Sequence, residues 1–346
     1  MAATIKDIAK LANVSHTTVS RALNGSPLIK EETRRRILDL ASQLNYIPDY
    51  NARSLVLRRS YSIGLFFTSI SKGTSSSFFA DTIRGVNSVI GVDYNLLVRG
   101  IDEYDDYSSI HRKRFDGMIL MSQSETDNPF VYHVIREGIP LIILNRQMSG
   151  HGIVNVLSND KEGAYTATLE LIRMGHSRIA LIEGVEGFKS TQERRDGFLN
   201  ALMDHDLPVR GDYIVRGDYT MTGGSYAMEQ LLALRESPSA VFCSNDDMAI
   251  GAMNAIFQQG LQVPGDVSVV GFDDIGFSRY TTPALTTVKR PIEQISARGA
   301  EYILSLMNAT SCKEEQVLLS TQLVTRGSVS APIHDRENRM RAPDCI

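Results

Sequence analysis

The sequence predicts an α/β protein: a small all-α head joined to a larger two-lobed core built on parallel sheets. Three observations carry this. Residues 4–44 hold three short amphipathic helical patterns in succession. From Tyr61 onward, short apolar runs alternate with helical patterns, the signature of strands covered on both faces by helices. The charge divides at the same place. Residues 1–60 carry ten Lys/Arg and five Asp/Glu, a net +5, within a chain of 346 residues and net charge −4. A basic head on an acidic body points to a polyanion as partner of the head alone.

The first helix starts at Thr4, where Thr4 and Asp7 have capping-box spacing. Ile5, Ile8, Ala9 and Ala12 then share one face. Ser15 can cap a second helix, with Val19, Ala22 and Leu23 inward and His16, Thr17, Ser20 and Arg21 outward. Asn24-Gly25 reads as its stop. A third helix spans about 30–44, with Ile37, Leu38, Ala41 and Leu44 inward. Two short helices, a tight connection and a closing third helix make a helix-turn-helix module, with the second helix as reader. The plainer alternative is a three-helix packing module whose polar face meets only water.

Pro48 ends the head, and 49–60 reads as a linker with a short helical stretch. In the body, strands are expected at 63–68, 95–98, 117–121, 140–145, 178–182, 240–243 and 267–271. Helices are expected at 79–90, 161–174, 191–204, 222–234 and 247–259. Gly138, Gly175 and Gly260 each sit where a helix gives way to a strand. About 270 residues of this pattern is large for one sheet, so two lobes with a cleft are expected.

The exclusions are as informative. No run of 18 apolar residues suggests a membrane span, and the N-terminus lacks a signal-peptide core. Cys243, Cys312 and Cys345 are scattered, which argues against a disulfide framework and fits a reducing cytoplasm. In Gly184-Val-Glu-Gly-Phe-Lys-Ser190, Phe188 stands between Gly and Lys, so no Walker A loop forms. Asp246-Asp247 and Asp273-Asp274 suit capping better than metal binding, and there is no HExxH or Gly-x-Ser-x-Gly. No catalysis, cofactor or metal is expected.

The stretch Thr4-Ile-Lys-Asp-Ile-Ala-Lys-Leu-Ala-Asn-Val-Ser-His-Thr-Thr-Val-Ser-Arg-Ala-Leu-Asn24 closely resembles the N-terminal signature of LacI/GalR-family transcriptional regulators. So do Lys30-Glu-Glu-Thr-Arg-Arg-Arg-Ile37 and Leu44-Asn-Tyr-Ile-Pro48. In the body, three stretches continue the resemblance: Met174-Gly-His-Ser-Arg-Ile-Ala-Leu-Ile-Glu-Gly184, residues 240–253, and residues 263–274 followed by Pro283-Ala-Leu-Thr-Thr-Val288. It covers about residues 4–328.

The resemblance implies a periplasmic-binding-protein-like core of two Rossmann-like lobes joined by three crossovers. The expected domains are a helix-turn-helix head at 1–48, a hinge helix at 49–60 and a core at 61–330. Lobe one takes 61–157 plus 287–317, lobe two 158–286 plus 318–330, and 331–346 is a disordered tail. It implies that His16, Thr17 and Arg21 read bases, while Thr4, Lys6, Ser15, Thr18, Asn24 and Tyr46 contact phosphates. Asn51, Ala52, Arg53 and Leu55 match the hinge that enters the minor groove, with Leu55 as an apolar wedge.

For the effector, the resemblance points to Arg194, whose guanidinium suits paired sugar hydroxyls or a carboxylate. Asn245 and Asp273 lie at strand ends facing the cleft, Phe78, Phe79 and Tyr219 match aromatic positions, and Asn145 and Arg146 belong to the opposite rim. The structural alternatives are a surface ion pair for Arg194, a cap or brace for Asp273, and core packing for Phe78 and Phe79.

Three departures stand out: the longer Ser71-Lys-Gly-Thr-Ser-Ser-Ser77 lead-in, Asn159-Asp160 in inverted order, and a short Gly100–Asp116 stretch. The expected protein is a cytoplasmic homodimer that represses from a pseudo-palindromic double-stranded operator under a small-molecule effector, a sugar first. A purine-like co-repressor or a phosphorylated protein partner are the alternatives within the family. A sugar-binding protein without gene control would lack the head, and an enzyme would need a nucleotide fingerprint.

Overall fold

The computed structural model describes residues 3–23, 26–44, 46, 59–150, 152–308 and 316–332. The chain divides into two compact units, residues 1–60 and 61–346.

The first unit is three helices, α1 (Ile5–Leu11), α2 (His16–Leu23) and α3 (Glu31–Gln43). The Asp7 carboxylate accepts from the Thr4 N–H at 2.8 Å and its hydroxyl at 2.7 Å, fixing the start of α1. Ser15 caps α2 by accepting from the Thr18 N–H at 3.0 Å. Between them Asn13 turns the chain at φ +48°. Arg36 donates to the Ala12 carbonyl at 2.8 Å, so α3 satisfies the end of α1. Ile8, Ala9, Ala12, Val19, Ala22, Ile37 and Ala41 form the core. Leu38 does not join them and is 45 % exposed. Inward positions on α3 run 37, 40–41 and 44, and Leu38 lies about 100° round the helix from Ile37. Asn24-Gly25, the residues 47–58 that span most of the hinge, and the tail from residue 333 lie outside the described residues.

The second unit contains two six-stranded sheets. Lobe one is built from β1 (Ser62–Phe67), α4 (Ser76–Ile90), β2 (Asn95–Gly100), β3 (Gly117–Met121), α5 (Asn128–Arg136), β4 (Leu141–Leu144) and β5 (Val154–Ser158). Lobe two takes α6 (Asp160–Arg173), β6 (Ile179–Glu183), α7 (Lys189–Asp204), β7 (Ile214–Arg216), α8 (Met221–Leu232), β8 (Ala240–Cys243), α9 (Asp246–Gln258), β9 (Ser268–Asp273) and β10 (Thr286–Lys289). The chain then returns to lobe one for α10 (Ile292–Met307) and β11 (Gln316–Leu319), and ends in lobe two at β12 (Gln322–Val324). The sheet orders are β11-β5-β4-β3-β1-β2 and β12-β10-β9-β8-β6-β7. Every pairing is parallel except β10 with β12.

The three crossings fall after Ser158, Lys289 and Leu319. Residues 287–289 therefore belong to lobe two, and 318–319 to lobe one, against the expected boundaries at 287 and 317. The strands run on because they keep pairing: Lys289 lies beside Asp273, and Leu319 beside Ser158. Each named strand and helix is found within three residues of its expected limits. Gly138, Gly175 and Gly260 take positive φ at helix ends. In the short 100–116 stretch only a 3-10 turn, Ile101–Glu103, forms.

Candidate functional site

In parallel sheets the carboxyl ends of strands face the ligand crevice. Here Gln123 follows β3, Asn145 follows β4, Asn245 follows β8, Asp273 ends β9 and Arg290 follows β10. The cleft narrows to a small pocket lined by Gly73, Ser75, Phe78 and Gln123 from lobe one. Ser190, Arg194, Tyr219, Asn245 and Asp273 line it from lobe two, with Arg290 at the second crossing.

Arg194 is 2 % exposed and rises from α7 into an acidic frame. Its Nε and Nη2 donate to Asp160 Oδ2 at 3.0 and 2.8 Å, and its Nη1 donates to the Ser244 carbonyl. Nη2 also meets Asp273 Oδ1 at 3.4 Å. The guanidinium lies 4.0 Å from the centre of the Phe272 ring. Burial alone would lower the Arg194 pKa, but the Asp160 and Asp273 carboxylates raise it instead. Asp160 is fully buried; burial pushes its carboxyl up, and Arg290 and Arg194 together overcome this and hold it below the usual range. Asp273 is different: burial pushes it to about 6, with Arg194 and Arg290 pulling the other way.

Tyr219 stacks against Phe188 with centroids 6.2 Å apart, and its hydroxyl meets Thr191 Oγ1 at 2.7 Å. Asn245 caps α9 by accepting from the Met248 N–H at 3.0 Å, and donates to the Tyr219 carbonyl at 3.1 Å. Asn145, Tyr219 and Asp273 adopt φ of +70°, +67° and +105°. Such backbone costs about 1–3 kcal/mol per residue and gathers at ligand sites.

The cavity thus brings together Phe78, Arg194, Tyr219, Asn245 and Asp273. It leaves out three expected residues. Phe79 packs 5.1 Å from Phe67 in the lobe-one core. Asn145 stands behind the cavity, accepting from Arg290. Arg146 is tied to Ser122 at 2.9 Å and Asn128 at 2.8 Å, and lines the outer cleft beside Lys189 and Gln192. Sequence reasoning did not single out Ser75, Gln123, Ser190 or Arg290. None of these carried a local sequence signal; Arg290 follows β10, a strand the apolar pattern does not announce.

On the head, His16, Thr17 and Arg21 are exposed on the outer face of α2, and Lys6 is exposed on α1. Ser15 and Thr18 are joined at 2.9 Å, Thr4 holds its cap, and Tyr46 packs on the core. Asn24, Asn51, Ala52, Arg53 and Leu55 lie outside the described residues. Among the described residues no three His, Cys, Asp or Glu are grouped to hold a metal, and no helix is long and apolar enough to cross a membrane. Asp246 serves as a brace, accepting from the Ile275 N–H at 2.9 Å and the Ser278 hydroxyl at 2.6 Å.

Residues 4–49 match the family described as bacterial regulatory proteins, lacI family. Residues 168–329 match a periplasmic binding protein-like domain. The chain is 60 % identical to the "Probable HTH-type transcriptional repressor ExuR" of Bacillus subtilis strain 168, over 94 % of this chain and 98 % of that protein. Its fold is similar to the lac repressor dimer bound to operator and the anti-inducer ONPF, at 25 % identity and TM-score 0.82, covering 96 % of this chain and 100 % of that one. It is also similar to the transcriptional regulator CelR in complex with cellobiose, at 26 % identity and TM-score 0.72, covering 94 % and 99 %. A three-helix head, a two-lobed core and a full-length relative at this identity place the chain in the lacI family of bacterial regulatory proteins, as a transcriptional repressor and not an enzyme.

Proposed function

We propose that this repressor acts as a homodimer on a pseudo-palindromic operator and that a monosaccharide-sized sugar, bound between its lobes, sets its operator affinity. One observation carries the effector reading. Asp273 and Arg290 adjoin at the end of neighbouring strands in a cleft pocket that the Phe78 and Tyr219 rings also line. A hydroxyl both donates and accepts, so an acceptor carboxylate beside a donor guanidinium suits vicinal hydroxyls. An aromatic ring suits the C–H face of a sugar.

His16, Thr17 and Arg21 would read base edges, and the hinge with Leu55 would enter the minor groove. Two heads on a twofold axis need half-sites about one helical turn apart. The dimer reading is supported by Phe277 and Tyr280, which are 68 % and 77 % exposed on the turn after β9. The lac repressor structure it resembles is itself a dimer on operator. Regulation follows from linkage: a sugar that binds the open and closed arrangements unequally must change operator affinity if the two arrangements hold DNA unequally.

The test is operator binding at fixed salt, with DNA from upstream of the chain's own gene and a panel of mono- and disaccharides. A monosaccharide should release the DNA. Tight DNA binding that no sugar alters would overturn the sugar reading and turn the search to a purine-like co-repressor or a phosphorylated protein partner.

A further inference from the structure

Arg194 is the effector anchor that family resemblance singles out, yet most of its donors are already spent on Asp160, Asp273 and the Ser244 carbonyl. Arg290 differs. It is 7 % exposed and lines the same cavity. Its Nε donates to Ser158 Oγ at 2.7 Å and Asp160 Oδ1 at 3.0 Å, and its Nη2 donates to Asn145 Oδ1. Among the described residues Nη1 is bonded to no acceptor, so two N–H donors of a buried guanidinium remain for the cavity. Its Cζ lies 5.9 Å from the centre of the Phe78 ring, which lines the cavity from lobe one.

The position matters as much as the donors. Arg290 stands on the second crossing between the lobes, and its other nitrogens grip both sides. Asn145 belongs to lobe one, and Ser158 and Asp160 bound the first crossing. Its own N–H also reaches the Asp273 carbonyl at 3.4 Å, which sets guanidinium and carboxylate side by side.

We propose that Arg290 is an effector-binding, specificity-determining residue: Nη1 donates to a ring hydroxyl of the sugar while the same guanidinium ties both crossings together. The inference rests on the sugar reading above. It predicts that changing Arg290 alters which sugars act and not merely how tightly the fold holds.

The experiment compares wild type, Arg290→Lys and Arg290→Gln as full chains on operator DNA, by fluorescence anisotropy. The probes are D-glucose, D-galactose, D-ribose, D-glucuronate and D-galacturonate. Arg290→Lys keeps a positive charge beside Asp160 and guards against simple loss of fold. The sugar that releases the wild type should be needed at about tenfold or higher concentration by both variants, with the rank order of the five sugars changed. An unchanged response, or an equal loss for every sugar with the order kept, would overturn the assignment while leaving the sugar reading intact. A wild type that answers to none of the five refutes the monosaccharide reading, and this inference with it.

Discussion

Asp160 Oδ2 accepts two hydrogen bonds from Arg194, from Nε at 3.0 Å and Nη2 at 2.8 Å, with both side chains almost fully withdrawn from solvent. Its other oxygen accepts from Arg290 Nε at 3.0 Å. One carboxylate therefore bridges two buried guanidinia at the floor of the cleft, and Asp273 supplies a second negative charge beside Arg194.

Replacing Asp160 by Asn keeps the shape but leaves two buried cations without their shared anion. Breaking a buried pair by removing one partner costs about 3–5 kcal/mol. Asp160→Asn should lower unfolding free energy by that order in urea titrations at pH 7. The sign with pH follows from its lowered pKa. A depressed carboxyl contributes stability above its unfolded value, near 3.9, and loses it as pH falls through the folded value. The difference between wild type and Asp160→Asn should therefore shrink below about pH 4. Equal stabilities at pH 7 would show that the triad is not a net support.

Gly73 has φ +68°, and a Cβ there would lie 2.7 Å from the Phe188 ring. Gly73 lines the pocket and precedes α4 in lobe one, and Phe188 precedes α7 in lobe two, so the added Cβ would press between the lobes beside the pocket. Gly73→Ala adds about 1–2 kcal/mol of backbone strain as well as the collision. It should raise the effector concentration for half-release of operator by about tenfold, measured by anisotropy. Phe188→Leu in the same chain should recover the steric part only. No recovery would mean the backbone term alone is responsible.

The pH dependence of effector binding should report Asp273. Burial holds its carboxyl near 6, against the pull of Arg194 and Arg290. If an effector hydroxyl donates to the carboxylate, binding favours the ionised form and weakens as protonation removes the acceptor. Affinity should be full at pH 7.5 and fall through pH 6 to a several-fold loss at pH 5, by calorimetry. Asp273→Asn should bind more weakly and without that slope. A slope that persists in Asp273→Asn would assign the titration elsewhere.

The fold was legible where the signal is local and repeated. The head declares itself through apolar spacing and the Thr4–Asp7 cap, and most central strands through unbroken apolar runs such as Gly117–Met121. β10 was missed because two of its buried positions are Thr286 and Thr287, which read as polar until Arg326 and Asp246 are seen to bond them. β5 was missed because Asn155 interrupts it, and that amide is spent bonding Met148 and Ile153. The site divides the same way. Arg194 and Asp273 stand in recognisable motifs, whereas Arg290 acquires meaning only from Asn145, Ser158 and Asp160, which are 130 residues or more away in sequence.

The hinge lies outside the described residues, so its test is functional. Leu55→Ser should weaken operator binding and leave sugar binding by the core unchanged, because a polar side chain cannot act as the wedge that opens a base step. Calorimetry with the releasing sugar and anisotropy with operator separate the two. Unchanged operator affinity would remove Leu55 from the interface.

Arg21 is exposed on the outer face of α2, one turn beyond Thr17 and away from the Val19–Ala22 core face. An arginine there can make two hydrogen bonds to a guanine edge or one salt-dependent contact to phosphate. These differ in what they lose. Arg21→Ala at a base should cost about 1–3 kcal/mol and relax preference at one operator position, with the salt slope little changed. At a phosphate it should weaken all operator variants alike and reduce the slope of log affinity against log salt by about one. Anisotropy titrations of wild type and Arg21→Ala, on single-base operator variants at three salt concentrations, distinguish the two. The base-reading role requires the loss to concentrate at one position in each half-site.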